Sequence, residues 1–223
     1  KKNYFKICEA IFAKIKISKI YDSEVIRRYY MYKYKSNGEI IYYPSKFEKN
    51  VDSIKRNNKA KKFYIIGRLL EENSVSLIIN TFKKLKNFKL FIIGYKSEYF
   101  KRKILPIIKD TKNIFYVGEV YDKIKLLRYL SFFDYYIHGH KVGGTNPTLI
   151  EAINLKKNIF AYDCSFNREI LGKKKVYFKS NIELENLIKY YDNYRYEKND
   201  YKKVFTQNFI NKKYLEILLN EFK

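Results

Sequence analysis

The stretch "HGHKVGGTNPTLIE", residues 138–151, gathers the residue types of this chain that are best suited to chemistry. It contains both histidines, three of the eight glycines and one of the three prolines of the 223-residue sequence. Three interpretations compete for this stretch: a metal site built on the histidines, a phosphate-binding turn built on the glycines, and an ordinary loop.

The histidines His138 and His140 are the residues that would ligate a metal. No cysteine stands near them, and no acidic residue is closer in sequence than Asp134. Two histidines without further ligands do not define a zinc site. We therefore expect no metal and no cofactor, and we expect both histidines to bond to the loop backbone or to reach a bound polar ligand.

The glycine pair Gly143–Gly144 leads from a predicted strand directly into a predicted helix start. Adjacent glycines let the backbone approach an oxyanion, and a helix N-terminus adds unpaired N–H groups and partial positive charge. Asn146 is a favoured N-cap, Pro147 suits the first helical position, and Thr145 adds a hydroxyl donor. The alternative is a tight turn that only needs a positive φ. The position of the pair after a strand favours phosphate.

Two charged residues could complete such a site. Glu151 lies about one turn into an otherwise apolar helix, so its carboxylate could accept hydrogen bonds from the vicinal hydroxyls of a ribose. It could equally be a solvated residue near the helix start. Arg68 follows the glycine that ends an earlier predicted strand and would bring a cation to the same edge; the alternative is a surface arginine.

The elements that must position these residues alternate from residue 61 onward. Apolar strands and amphipathic helices follow one another about every twenty residues, which is typical of βαβ units. The predicted fold class is therefore α/β, a Rossmann-like parallel sheet with helices on both faces. Ligands bind at the carboxyl ends of the strands in such sheets. That edge would carry Gly67–Arg68, Gly94–Tyr95, Gly118–Glu119 and the 138–151 stretch.

The first 44 residues follow a different pattern. Residues 4–16 predict a helix with one apolar face, and a second helix beginning at Glu24 has Asp22 or Ser23 as its N-cap. A short strand precedes that helix, and another follows it and ends at Pro44. The next residues have low apolar content and predict a linker.

Composition limits the function classes. With 46% apolar and 18% aromatic residues the chain can bury a core, which excludes global disorder. Its apolar runs are too short to span a bilayer. Cys8 and Cys164 are expected to be reduced, buried thiols. The formal charge of +24 comes from lysine spread along the whole chain, so nucleic acid is an unlikely partner and an anionic membrane surface a better one.

The segments "IGRLLEEN", "FIIG", "FYVGEV" and "GGTNPTLIEA", in this order, resemble the carboxyl-terminal donor-binding domain of GT-B glycosyltransferases of family 4. These are retaining enzymes that use nucleotide-sugars. "YIHGHKVGGTNPTLIEA" followed by "FNREIL" is similar to a bacterial subgroup that includes rhamnosyltransferases of capsule and cell-wall polysaccharide assembly. The resemblance implies four parts: a remnant of the acceptor-side domain (1–45), a linker (46–60), the donor-binding domain (61–195) and a helical C-terminal segment (196–223).

The resemblance also implies roles for the site residues. Arg68 and Glu151 would be catalytic, with Glu151 also holding the ribose hydroxyls. His138 and His140 would lie where the donor sugar or its phosphates could be reached, with the sugar as the expected contact. The remaining contacts would be made to the diphosphate by Arg68, Gly143, Gly144, Thr145 and Asn146, and to the nucleobase by Glu119, Val120 and Tyr121.

Two positions depart from the family pattern. The family commonly has a lysine where this chain has Asn73, and a first, sugar-contacting glutamate where it has Gly143. The loss of that carboxylate is compatible with a deoxysugar such as rhamnose.

The expected function is metal-independent transfer of a sugar, with rhamnose as one candidate, from a nucleotide-diphosphate sugar to a polysaccharide or lipid-linked acceptor, with retention. The expected location is cytoplasmic, peripheral at the inner face of the membrane. The chain opens without an initiating methionine and is expected to be a fragment with little activity alone. The alternatives are a non-catalytic nucleotide-binding module and a basic protein that binds nucleic acid or a membrane surface.

Overall fold

The computed structural model describes residues 2–44, 61–173, 176–193 and 203–221. The predicted linker, 46–60, lies outside these ranges. Residues 2–44, here called the N-terminal segment, form two helices and two short strands: α1 (Lys2–Lys14), β1 (Ile20–Tyr21), α2 (Glu24–Tyr34) and β2 (Glu39–Ile40). The two strands pair in parallel as a small sheet of their own.

The six predicted strands of the following region form one parallel sheet. Each is a short run of apolar and aromatic residues, as expected for strands that are buried on both faces. In chain order they are β3 (Lys62–Ile66), β4 (Lys89–Ile93), β5 (Ile114–Gly118), β6 (Tyr135–His138), β7 (Asn158–Tyr162) and β8 (Tyr177–Phe178). Their spatial order is β5-β4-β3-β6-β7-β8. The chain therefore builds outward from β3 in one direction and from β6 in the other.

The helices lie between the strands, close to the predicted positions. They are α3 (Val75–Lys84), α4 (Leu105–Lys109), α5 (Lys123–Ser131), α6 (Pro147–Asn154), α7 (Ser165–Leu171), α8 (Asn181–Lys189) and α9 (Gln207–Glu221). The helical region between β4 and β5 is not one regular α-helix. A π-helical turn, Phe100–Ile104, precedes α4, because Pro106 at the start of α4 cannot donate a backbone hydrogen bond.

Alternation along β3 shows how both faces of the sheet are covered. Phe63 and Ile65 lie in the core cluster that contains residues of α3 and α8. Tyr64, which points the other way, lies in the cluster that contains residues of α5, α6 and α7. The predicted Rossmann-like sheet with helices on both faces is confirmed. We call residues 61–193 the sheet domain.

The C-terminal segment links the two parts. Phe205, in a 3-10 turn that precedes α9, is buried in the cluster on the α6 side, and its ring centroid lies 5.3 Å from that of Tyr42. Within the described ranges, no helix has the combination of length and apolar character that a membrane crossing needs.

The expectation that both cysteines are buried is wrong. Cys8 is exposed and Cys164 is half-buried. Cys8 is exposed because it lies on the apolar face of α1, which is itself largely exposed to solvent. On this face Phe5 is 63% exposed and Ile11 57%. The helical period is as predicted, but of this face Phe12 packs against α2, through the ring of Tyr30, whereas Phe5 and Ile11 stay exposed.

Candidate functional site

The strand order changes direction between β3 and β6: β4 and β5 follow β3 on one side, and β7 and β8 follow β6 on the other. The carboxyl ends of the neighbouring strands β3 and β6 frame a crevice at this point. Arg68 lies in the loop after β3, and residues 139–146 form the loop after β6. The His140 ring, in the loop after β6, packs against Gly67, which directly follows β3. Its Cε1 atom lies 3.4 Å from the position that a Cβ atom on Gly67 would occupy. Arg68 and the 138–151 stretch therefore lie at one site, as the sequence predicted.

The histidines stack on one another. Their ring centroids are 4.6 Å apart with an interplanar angle of 15°. Burial holds the pKa of His138 well below its usual value, and burial together with the Arg68 guanidinium lowers the pKa of His140 to about 4. Both rings are therefore neutral at physiological pH. His138 is fully buried, so of the two residues expected to contact the sugar only His140 offers exposed surface.

Hydrogen bonds tie the histidine pair to the start of α6. The Tyr136 hydroxyl lies 2.8 Å from His138 Nδ1 and 2.8 Å from Thr148 Oγ1. Thr148 donates to the Asn146 side-chain oxygen through its hydroxyl (2.8 Å) and its backbone N–H (3.0 Å). Asn146 is thus the N-cap and Pro147 the first helical residue, as predicted.

The adjacent glycines of the loop, Gly143 and Gly144, have different surroundings. Gly143 has a φ of +105°, and a Cβ placed on it would meet nothing within 4 Å. A Cβ on Gly144 would stand 2.2 Å from a carboxylate oxygen of Asp22, in the N-terminal segment. The hydroxyl of Thr145 donates to the backbone carbonyl of Asp22. In this structure the predicted ligand donor on Thr145 is therefore engaged with the N-terminal segment.

Glu151 is only 7% exposed, on a helix whose neighbouring residues form part of the core. Burial raises the pKa of Tyr64 and of Tyr136, and the negative charge of Glu151 adds to both shifts. The carboxylate therefore lies close to Tyr64 of β3 and Tyr136 of β6. Burying a carboxylate is costly, which makes Glu151 a candidate for a functional rather than a solvated role.

The loop that carries Arg68 is held by two polar contacts. The buried Asn73 side chain donates to the Arg68 backbone carbonyl (2.5 Å), and the Ser74 hydroxyl donates to the Gly139 carbonyl (2.8 Å). Asn73, which stands where the family commonly has a lysine, thus fixes the backbone of the arginine loop. Arg68 itself is exposed.

The residues predicted to frame a nucleobase follow β5 at the same edge. Two strand spacings separate β5 from β3, roughly 10 Å. Val120 packs partly buried against the cluster on the α6 side, Tyr121 is exposed, and the Tyr121 hydroxyl donates to the Glu119 carboxylate. This loop presents an aromatic ring and a carboxylate to solvent.

Sequence reasoning missed the contact between the N-terminal segment and the site. Glu169 of α7 accepts hydrogen bonds from the Ser23 hydroxyl and the Glu24 backbone N–H, each 2.7 Å long. Ser23 caps α2, which leaves the Asp22 side chain facing Gly144. The sequence named both residues as capping candidates, but no local signal places them beside residues more than 100 positions later. Among the described residues, no cluster of three or more histidine, cysteine or acidic side chains could hold a metal ion.

The family model for glycosyl transferases group 1 matches residues 46–220, which include the whole sheet, the crevice and both of its loops. The chain belongs to this family. It is therefore a member of a glycosyltransferase family, and the predicted GT-B type of fold agrees with this assignment.

Solved structures share the fold over the whole of this glycosyltransferase chain. A glycosyltransferase from Rickettsia africae ESF-5 has a TM-score of 0.78 at 17% identity, and this chain spans 68% of its length. Sucrose-phosphate synthase from Thermosynechococcus elongatus has a TM-score of 0.79 at 13% identity, and this chain spans 62% of its length. A TarM variant of S. aureus, solved in complex with fondaparinux, alpha-GlcNAc-glycerol and UDP, has a TM-score of 0.66 at 20% identity. This chain spans 47% of its length. At these identities the likeness shows the fold alone. No curated protein sequence matches the chain.

Proposed function

We propose that this chain binds a nucleotide-diphosphate sugar in the crevice between β3 and β6 and serves its transfer to a glycan or lipid-linked acceptor. The observation that carries the proposal is the convergence, at this crevice, of Arg68, the partly exposed His140 and the capped start of α6. Membership of a glycosyltransferase family supports sugar transfer as the reaction.

The chemistry requires stabilisation of a leaving group. When the bond from the anomeric carbon to the diphosphate breaks, negative charge grows on the diphosphate oxygens. Fixed positive groups stabilise that charge best when they are already in place. Arg68, whose loop Asn73 anchors, and the backbone N–H groups at the start of α6 would supply them. The neutral His140 can add a hydrogen bond without adding charge.

The finer assignments rest on the sequence resemblance: family 4, retention, independence of metal and a deoxysugar such as rhamnose. Retention predicts that product and donor share their anomeric configuration, which NMR of the product measures. Independence of metal predicts equal rates in EDTA and in Mg²⁺. Rhamnose predicts preference for a nucleotide-rhamnose over the glucose donor of the same nucleotide.

A peripheral position at an anionic membrane is proposed for α1. Its apolar face is exposed and stands beside lysines such as Lys6 and Lys14, a combination that binds anionic lipid surfaces. Co-sedimentation with phosphatidylglycerol vesicles but not with phosphatidylcholine vesicles is expected. Loss of sedimentation in Phe5→Ser would assign it to α1; equal sedimentation with both lipids would count against it.

Calorimetry tests the donor site. The chain is titrated with UDP, GDP and dTDP and with UDP-glucose, GDP-mannose and dTDP-rhamnose. For the nucleotide that binds, Arg68→Gln is expected to weaken the affinity by about 10–100-fold, because a charge-assisted contact is lost. Arg102→Gln removes the same charge from an exposed position on the π-helical turn and serves as the matched control. Absence of binding at millimolar nucleotide, or equal effects of the two substitutions, would overturn the proposal.

The role of Glu151 is tested by sugar chemistry. If its two oxygens hold both ribose hydroxyls, UDP should bind more tightly than 2′-deoxy-UDP, and Glu151→Gln should reduce that preference. An unchanged preference in a variant that still folds would remove Glu151 from the ribose contact.

A further inference from the structure

We infer that Asp22, from the N-terminal segment, forms part of the donor pocket and accepts a hydrogen bond from a hydroxyl of the transferred sugar. The inference rests on the proposed function and names a residue of its specificity that lies outside the sheet domain.

The first observation is the position of the Asp22 carboxyl group. Its two oxygens lie 2.2 and 2.3 Å, and its carbon 2.4 Å, from the place where a Cβ on Gly144 would stand. No side chain other than the hydrogen of glycine fits there unless Asp22 moves. The carboxylate therefore lies directly against the turn that leads into α6.

The second observation is that the backbone around Asp22 is held from two sides. The Thr145 hydroxyl donates to the Asp22 carbonyl, and the next residue, Ser23, donates to Glu169 of α7 over 2.7 Å. Both anchors belong to the sheet domain. The carboxylate is therefore positioned by the same elements that form the candidate site, rather than by the N-terminal segment alone.

The third observation is that, among the residues that the structure describes, no cation pairs with this carboxylate. None of the ion pairs formed among the described residues includes Asp22. Partial burial raises the pKa of Asp22, and the negative charge of Glu169 raises it further. A hydrogen bond from the backbone of Asp22 itself acts in the opposite direction and lowers it. A half-buried carboxylate of this kind is stabilised by hydrogen-bond donors from a ligand.

The charge of Asp22 decides which part of the ligand it contacts. A carboxylate repels the diphosphate, so its neighbour must be a group that donates hydrogen bonds. In a nucleotide-sugar the hydroxyl-bearing groups next to the diphosphate are the ribose, which we assign to Glu151, and the transferred sugar. The loop of residues 139–146 contains no acidic residue of its own, so Asp22 supplies the carboxylate that this loop lacks.

Asp22 would then distinguish substrate from product. A free nucleoside diphosphate carries one more negative charge than the nucleotide-sugar and lacks the sugar hydroxyls. Asp22 therefore favours the intact donor over the released diphosphate and promotes product release.

The test is calorimetry of Asp22→Asn with each nucleoside diphosphate and its sugar: UDP and UDP-glucose, GDP and GDP-mannose, dTDP and dTDP-rhamnose. For the pair that the unsubstituted chain binds, we expect the sugar form to bind about 3–10-fold more weakly and the free diphosphate to bind equally or more tightly. Asp110→Asn removes the same charge at an exposed position at the end of α4 and is expected to change neither affinity.

The outcomes separate this inference from the proposed function. If no nucleotide binds to the unsubstituted chain, both fail. If nucleotide binds and Asp22→Asn changes the two affinities by the same factor, or changes neither, the inference alone is overturned. Because asparagine has the shape of aspartate, the fold is expected to persist, and unchanged thermal unfolding of the variant verifies this.

Discussion

Amphipathic helices occur in both the sheet domain and the N-terminal segment. The apolar face of α3, in the sheet domain, is buried, whereas most of the apolar face of α1, in the N-terminal segment, is exposed. In the sheet domain Ile79 and Phe82 of α3 pack fully buried against the strands. In the N-terminal segment Phe5 and Ile11 of α1 remain mostly exposed. Both helices carry apolar residues at helical spacing. A period therefore predicts which face a helix would bury, but burial itself requires an opposing surface.

The contacts that attach the N-terminal segment to the sheet domain differ in kind from those that stabilise the sheet domain itself. The sheet domain is stabilised by apolar packing on both faces of the sheet. The N-terminal segment adds polar contacts to the packing of Tyr42 on Phe205: Glu169 accepts hydrogen bonds at the start of α2, and Thr145 donates to Asp22. Apolar packing responds to lost volume, whereas polar contacts respond to lost charge or hydrogen bonds.

Truncating an aromatic residue in each region is expected to give the largest difference. Phe160→Ala removes a fully buried ring from the sheet domain and should lower the free energy of unfolding by about 3–5 kcal/mol. Phe5→Ala on α1 should change it by about 0.5 kcal/mol or less. Urea unfolding of both variants measures the difference. Similar losses would show that α1 is buried in solution.

Acid should destabilise the sheet domain through its histidines, which lie only there. The native pKa of His140 is about 4 and its usual value 6.5, so between these pH values the unfolded chain binds the proton first. Stability is therefore lost as pH falls from 6.5 towards 4, by up to about 3 kcal/mol for this residue. His140→Gln should lose less over the same range, and unfolding at a series of pH values shows whether it does.

Removing the cap on α2 should loosen the N-terminal segment and spare the sheet. Glu169→Ala is expected to cost about 1–2 kcal/mol, because the Glu24 backbone N–H and the Ser23 hydroxyl lose their acceptor. Hydrogen exchange should become faster in α2 and remain unchanged in β3. Glu72→Ala, at an exposed position, is the control. Equal acceleration in both elements would mean that the two regions unfold together.

Thiol labelling should distinguish the regions without perturbing either. Cys8 is exposed on α1, whereas Cys164 is half-buried and burial raises its pKa. We expect Cys8 to react with a thiol reagent about tenfold faster or more, since the thiolate is the reactive form. Single-cysteine variants measured separately assign the two rates. Equal rates would indicate that the loop before α7 opens as readily as the surface of α1.

Local patterns in the sequence determined the elements of this protein. The six strands, the N-cap at Asn146 and the first helical position of Pro147 depend on neighbouring residues, so short-range period and capping chemistry were sufficient to predict them. The same reasoning placed Arg68 and the 138–151 stretch at one edge, since parallel strands share their carboxyl ends. At Pro106 a missing N–H group interrupts the regular α-helix, and a π-helical turn precedes it.

The tertiary structure alone decided which of these elements meet. The pairing of β3 with β6 brings Arg68 to His140, and the stacking of the histidines buries one and leaves the other at the crevice. Asp22 reaches Gly144 across more than 100 residues, and no short-range preference encodes that contact. Such contacts depend on how the whole chain packs, because distant residues meet only once the loops between them have closed.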